Sequence, residues 1–91
     1  MGKIRRLVLD VLKPQQPSVI DLSNYLSDLD GVDGVEIELI EMDVNVESVK
    51  ITIAGHEINY EEVEKIINEN GGTIHSIDGV SCGKKLVREE D

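Results

Sequence analysis

The chain contains no Phe and no Trp, and Tyr25 and Tyr60 are its only aromatics. Its interior must therefore be aliphatic, and a platform for stacking nucleic-acid bases is excluded. Cys82 stands alone, so no internal disulfide can form, and a reducing compartment, the cytoplasm, is expected. Basic residues are scarce: 9 Lys and Arg face 19 Asp and Glu, for a formal net charge of -10. That field repels phosphate backbones, which disfavours nucleic acid as a partner, and it concentrates cations. Long apolar runs are missing too. The opening stretch Ile4 to Leu12 is interrupted by Asp10 and ends at Lys13, unlike a signal peptide and far short of the roughly 18 residues that cross a bilayer, so no membrane partner is expected.

What is present fits one small domain. A chain of 91 residues buries only about 60 to 65% of its unfolded surface, and 40% hydrophobic with 31% charged residues is the balance of a folded, non-membrane protein. In Ile4 to Leu12, Leu7, Leu9 and Val11 fall on one side of a strand, with Ile4, Arg6, Val8, Asp10 and Leu12 on the other. Both sides carry apolar residues, so a cover is expected on both. Lys13-Pro14-Gln15-Gln16-Pro17 breaks the strand, and Pro17 suits the first turn of a helix over 17–29 with Val19, Leu22, Leu26 and Leu29 as its apolar stripe. Gly31 ends it.

Alternation returns over Val32 to Met42 and again through Val49, Ile51 and Ile53. For Leu39 and Ile51 both to face the core, paired positions must sum to an even number. A regular hairpin then has an odd loop, Val44-Asn45-Val46, with Asn45 left-handed. Asn59 followed by Glu62 resembles a capping box for a second helix with Val63, Ile66 and Ile67 inward, stopped at Gly71-Gly72. A last strand runs from Thr73 to about Val80. The order strand, helix, strand, strand, helix, strand implies an α+β ferredoxin-like sandwich: a four-stranded antiparallel sheet, order 4-1-3-2, with both helices on one face. Residues 1–83 form this domain and 84–91 a charged C-terminal tail. The words IRRLVLDVLKP, DGVDGVEI and NGGTIHSIDGVSCG resemble the small archaeal family known as domain of unknown function 211 over nearly the whole chain. The resemblance implies the same fold, an archaeal origin and a ring-like or other homo-oligomer. It carries over no catalytic residue.

His75, Ser76 and Asp78 bring triad residue types together, yet strand neighbours point to opposite faces, so His75 and Ser76 diverge and no hydrolase is expected. Asp43, Asn45 and Glu47 place oxygen side chains at alternate positions, as a calcium loop begins, but the following glycine and the bidentate Glu are absent. Asp30 and Asp33 flank a second acidic turn. These five residues are the candidate ligands for Ca2+ or Mg2+ through surface carboxylates, set against a plain reading as solvated turn residues. Zinc ligand spacing is lacking. On the open sheet face Ile4, Val8, Leu12, Ile40, Met42 and Ile77, with Arg6 and His75, are the expected contact surface between copies. Arg6 is expected near Lys50, with Glu36 and Glu38 beyond. The basic residues Lys84, Lys85 and Arg88 would lie against a neighbour's acidic 14–49 segment, which has no Lys or Arg, closing a cyclic assembly. The functional expectation is a non-enzymatic homo-oligomeric module with divalent cation binding as an addition. The alternative is a small-molecule sensor of ACT-like type with its ligand between subunits, although the KPQQP loop lacks the glycines such sites favour.

Overall fold

In a computed structural model that describes residues 2–85, the elements are β1 (Ile4–Pro14), α1 (Val19–Ser27), β2 (Val32–Met42), β3 (Val46–Gly55), α2 (Tyr60–Glu69) and β4 (Thr73–Cys82). They form one antiparallel sheet in the order β2-β3-β1-β4, the ferredoxin-like arrangement expected from the pattern. The expected tail beyond Lys85, including Arg88, lies outside the described residues.

Each helix begins where a side chain satisfies its first amides. Ser18 caps α1 by accepting from Asp21 N at 3.1 Å, and Asn59 caps α2 by accepting from Glu62 N at 3.2 Å. Pro17 thus precedes the cap of α1 instead of occupying its first turn. The alternation in β1 and β3 and the two helical stripes meet in one aliphatic core. Leu7, Leu9, Val11, Leu22, Leu26, Val49, Ile51, Ile53, Val63 and Ile67 are all buried. Ile58, just before α2, joins them at 4% exposure, and its N–H donates to Ile4 O at 3.0 Å.

Register decides which side chains share a face, and five slips in the ladders, three between β1 and β4 and two between β2 and β3, alter what simple alternation implies. In the β2–β3 pair Val35↔Ile53, Ile37↔Ile51 and Leu39↔Val49 have even sums, as the core demands. Past Leu39 the ladder slips, leaving Ile40 unpaired, and resumes as Glu41↔Ser48 and Met42↔Glu47. With Asp43 N donating to Val46 O at 2.8 Å, the tip is Val44-Asn45. Asn45 is not left-handed, since no residue other than glycine has positive φ among the described residues. In β4 the pairs Val8↔Gly79, Leu9↔Ile77, Asp10↔Ser76 and Val11↔Ile74 leave Asp78 and His75 as extra residues.

These slips overturn the expected greasy back of the sheet. Ile4 packs against the core. Met42 and Ile77 pair with Glu47 and Leu9 and so share the helix side with them. Val8, 6% exposed, and Leu12 keep the open face, where their neighbours are Arg6, Asp10, Ser48, Lys50, Thr52, Glu36, Glu38 and Ser76. Arg6 stands between Ala54 and Ser81 and not beside Lys50. Lys50 lies between Asp10 and Glu38 in the register, so the cross-strand charge row runs Ser76, Asp10, Lys50, Glu38.

Candidate functional site

The acidic tip forms around the turn itself. Asp43 Oδ1 accepts from Val44 N at 2.7 Å, the local bond that makes Asp a turn residue. Glu47 is occupied elsewhere: its Oε1 accepts from Lys13 Nζ at 2.8 Å. Lys13 is only 2% exposed and also donates to Pro14 O at 2.7 Å. This internal ion pair is the functional-type feature that the sequence reading missed. Its signal was parity, because Lys13 continues the inward series Leu7, Leu9, Val11 once β1 extends beyond Leu12.

The second acidic turn is wired to the start of the second half of the fold. Asp33 Oδ1 lies 3.1 Å from His56 Nδ1, with both side chains well exposed. Gly31 O accepts from His56 N at 3.0 Å and Glu57 N at 3.2 Å. Asp30, Gly31, His56, Glu57, Asn59 and Glu62 border a shallow cleft of about 280 Å³. Among the described residues no three His, Cys, Asp or Glu side chains converge as metal ligands. The structure therefore does not bring Asp43, Asn45 and Glu47, or Asp30 and Asp33, into a common cation cage.

Ser76 Oγ donates to Asp78 Oδ1 at 2.7 Å, and His75 is exposed without a hydrogen bond to either. A nucleophile with its base is not assembled there. Tyr60 packs against the core, and burial first, then the nearby Glu64 carboxylate, push its phenol above the usual value.

Exposed apolar side chains are most numerous at the hairpin end of the sheet, and Ile20 and Tyr25 on α1 are exposed as well. Leu12, Leu39, Ile40, Met42, Val44 and Val46 are all exposed at the hairpin end, from 40% at Leu12 to 78% at Val44. Leu39 faces the helix side through its pair Val49 but is 49% exposed, outside the core expected from its alternation. Gln15 Nε2 donates to Val44 O at 3.1 Å and ties the β1–α1 loop to the hairpin. Ile77 and Val80 add exposed apolar area along edge strand β4. Of the residues expected between copies, Ile40, Met42, Ile77 and His75 are exposed, while Val8 is buried and Ile4 and Arg6 are half-buried.

A family model described as "Uncharacterized ArCR" matches residues 5–91. An uncharacterised protein of Methanocaldococcus jannaschii is 47% identical over 89 residues, covering 98% of this chain and 92% of that protein.

Proposed function

Because the chain belongs to the domain of unknown function 211 family, whose description assigns no activity, we propose its role from its surface: it is a non-enzymatic building block of a closed homo-oligomer. The observation that supports this reading is the exposure at the hairpin end of Leu39 and Met42 on the helix side and Leu12 on the open face, with Ile40, Val44 and Val46 beside them. Apolar area gathered in this way on a small domain marks a contact surface. The sheet also ends in two long strands, β2 and β4, of 11 and 10 residues. Edges of that length present unpaired backbone groups to which another copy can add. Each copy has an apolar end and two open edges, so contacts of head-to-tail type that close into a ring suit it.

Sedimentation equilibrium at low micromolar concentration should give a mass several times 10.1 kDa. Ile40→Lys combined with Met42→Lys should shift it toward the single chain while the far-ultraviolet spectrum is kept. A wild-type protein that sediments as one 10 kDa species rejects the reading.

Sensing by an ACT-like mechanism has less support. The β1–α1 loop, where such a ligand would sit between subunits, has no glycine, and Gln15 in it is bonded to the hairpin. Cation binding is a separable addition. With Glu47 paired to Lys13, calcium at millimolar concentration should move the melting temperature by no more than about 1 °C, because stabilisation by a ligand follows its affinity for the folded form. A shift of several degrees with calcium, or with a particular amino acid, would reinstate cation binding or sensing respectively.

A further inference from the structure

At the end of the sheet remote from the hairpin, the start of β1 and the segment after β4 clasp each other. Gly83 N donates to Lys3 O at 2.8 Å, and Arg5 Nε donates to Gly83 O at 2.7 Å. Gly2 and Gly83 make this approach feasible. A Cβ on Gly2 would come 3.0 Å from Gly83 Cα and N, and Gly83 itself sits at φ 130, a conformation that only glycine adopts freely. Gly2, Lys3, Arg5, Gly83 and Lys84 border a cleft of about 550 Å³, within the roughly 300 to 1,000 Å³ range of small-molecule sites.

The charge of this cleft is opposite to that of the molecule. A chain of net charge -10 places Lys3, Arg5 and Lys84 together here. The guanidinium is fixed by its Nε bond, which leaves the paired terminal amino groups for an oxyanion in a planar fork. Among the described residues neither Arg5 nor Lys84 has a carboxylate in ion-pair contact. Lys3 has one, Glu57, at 3.6 Å, with both side chains more than half exposed, where pairing is weak. A long polyanion would run out of the cleft into the acidic surface and be repelled. A compact dianion would not.

We propose that this cleft binds the phosphate group of a small phosphomonoester, with Arg5 as the end-on fork and Lys3 and Lys84 as point charges. The cleft holds more than a phosphate ion, so an ester carrying a few carbons is preferred over free phosphate. The cleft is set apart from the hairpin end of the sheet. It lies at the opposite end of β1, whose 11 residues span about 35 Å.

The test is an amide NMR titration of the full chain at pH 7.5 and constant ionic strength with three probes: glycerol 3-phosphate, inorganic phosphate and succinate. The expected result is saturable shifts confined to Gly2, Lys3, Arg5, Gly83 and their neighbours, with glycerol 3-phosphate binding at least about threefold more tightly than the other two. Arg5→Gln should weaken binding about tenfold or more, the value of a charge-assisted hydrogen bond. Because Arg5 also holds Gly83, Lys84→Gln, at an exposed position outside the clasp, is the second variant and should weaken binding about threefold. Shifts that rise linearly without saturation, succinate binding as tightly as the ester, or unchanged affinity in both variants overturn the proposal. So does movement of the same amides with protein concentration alone, which would mean that a second copy's carboxylates occupy the cleft.

Discussion

Gly31→Ala should lower the stability of the fold by about 3 kcal/mol or more, seen as a fall in the urea midpoint at fixed protein concentration. Gly31 sits at φ 85, and a Cβ built there would lie 1.9 Å from Glu57 O. The positive φ alone opposes a side chain by about 1 to 2 kcal/mol. The overlap is with backbone, which has no rotamer to yield. Moving it would break the bonds from His56 N and Glu57 N to Gly31 O, and Gly55 packs equally close on the other side, its would-be Cβ 2.0 Å from Gly31 O. In a domain of this size each kcal/mol corresponds to about 4 to 8 °C, so the melting point should drop by more than 10 °C. Gly34→Ala is the matched control: a Cβ there meets nothing within 4 Å, and the expected change is within about 0.5 kcal/mol. Equal midpoints for the two variants would show that the junction of α1, β2 and the β3–α2 connection yields to an added methyl group.

The second large effect concerns Lys13 and Glu47, whose side chains are 1% and 13% exposed. Glu47→Ala should destabilise by about 3 to 5 kcal/mol, because it strands a buried ammonium with Pro14 O as its remaining partner. Lys13→Met leaves the carboxylate at the rim, where water reaches it, and should be the milder single change. Replacing both, Lys13→Met with Glu47→Leu, should restore or exceed wild-type stability, since well-packed apolar groups replace a desolvated pair. A double-mutant cycle by urea unfolding measures all three. If the double variant is as damaged as Glu47→Ala, the pair itself, and not the stranded charge, holds this end of the sheet. The arrangement also bears on the candidate cation loop, because a carboxylate held against Lys13 is unavailable to calcium.

Much of the architecture was legible in local pattern. Leu7, Leu9 and Val11, the stripes Leu22 and Leu26 and Val63 and Ile67, and the cap at Asn59 each rest on a period of two, a period of 3.6 or a three-residue spacing. These are properties of a short stretch of backbone. Element order and the handedness of crossovers then left one arrangement of the sheet. The candidate surface was far less legible. Ile40, Asp78 and His75 are extra residues in bulged ladders, and a bulge reverses the face of everything after it. Nothing in IELIEM or TIHSID announces which residue will slip. Alternation alone therefore places Met42 and Ile77 on the wrong side of the sheet.

By itself the sequence determined the fold class, the aliphatic core, the cap of α2 and the acidic field, because these depend on residue type and spacing along one segment at a time. Only the tertiary structure decided that the back of the sheet is largely polar, that Lys13 is buried against Glu47, and that Lys3, Arg5 and Lys84 gather at one end. Each of those depends on register between strands distant in sequence, and a slip of one residue exchanges inside for outside.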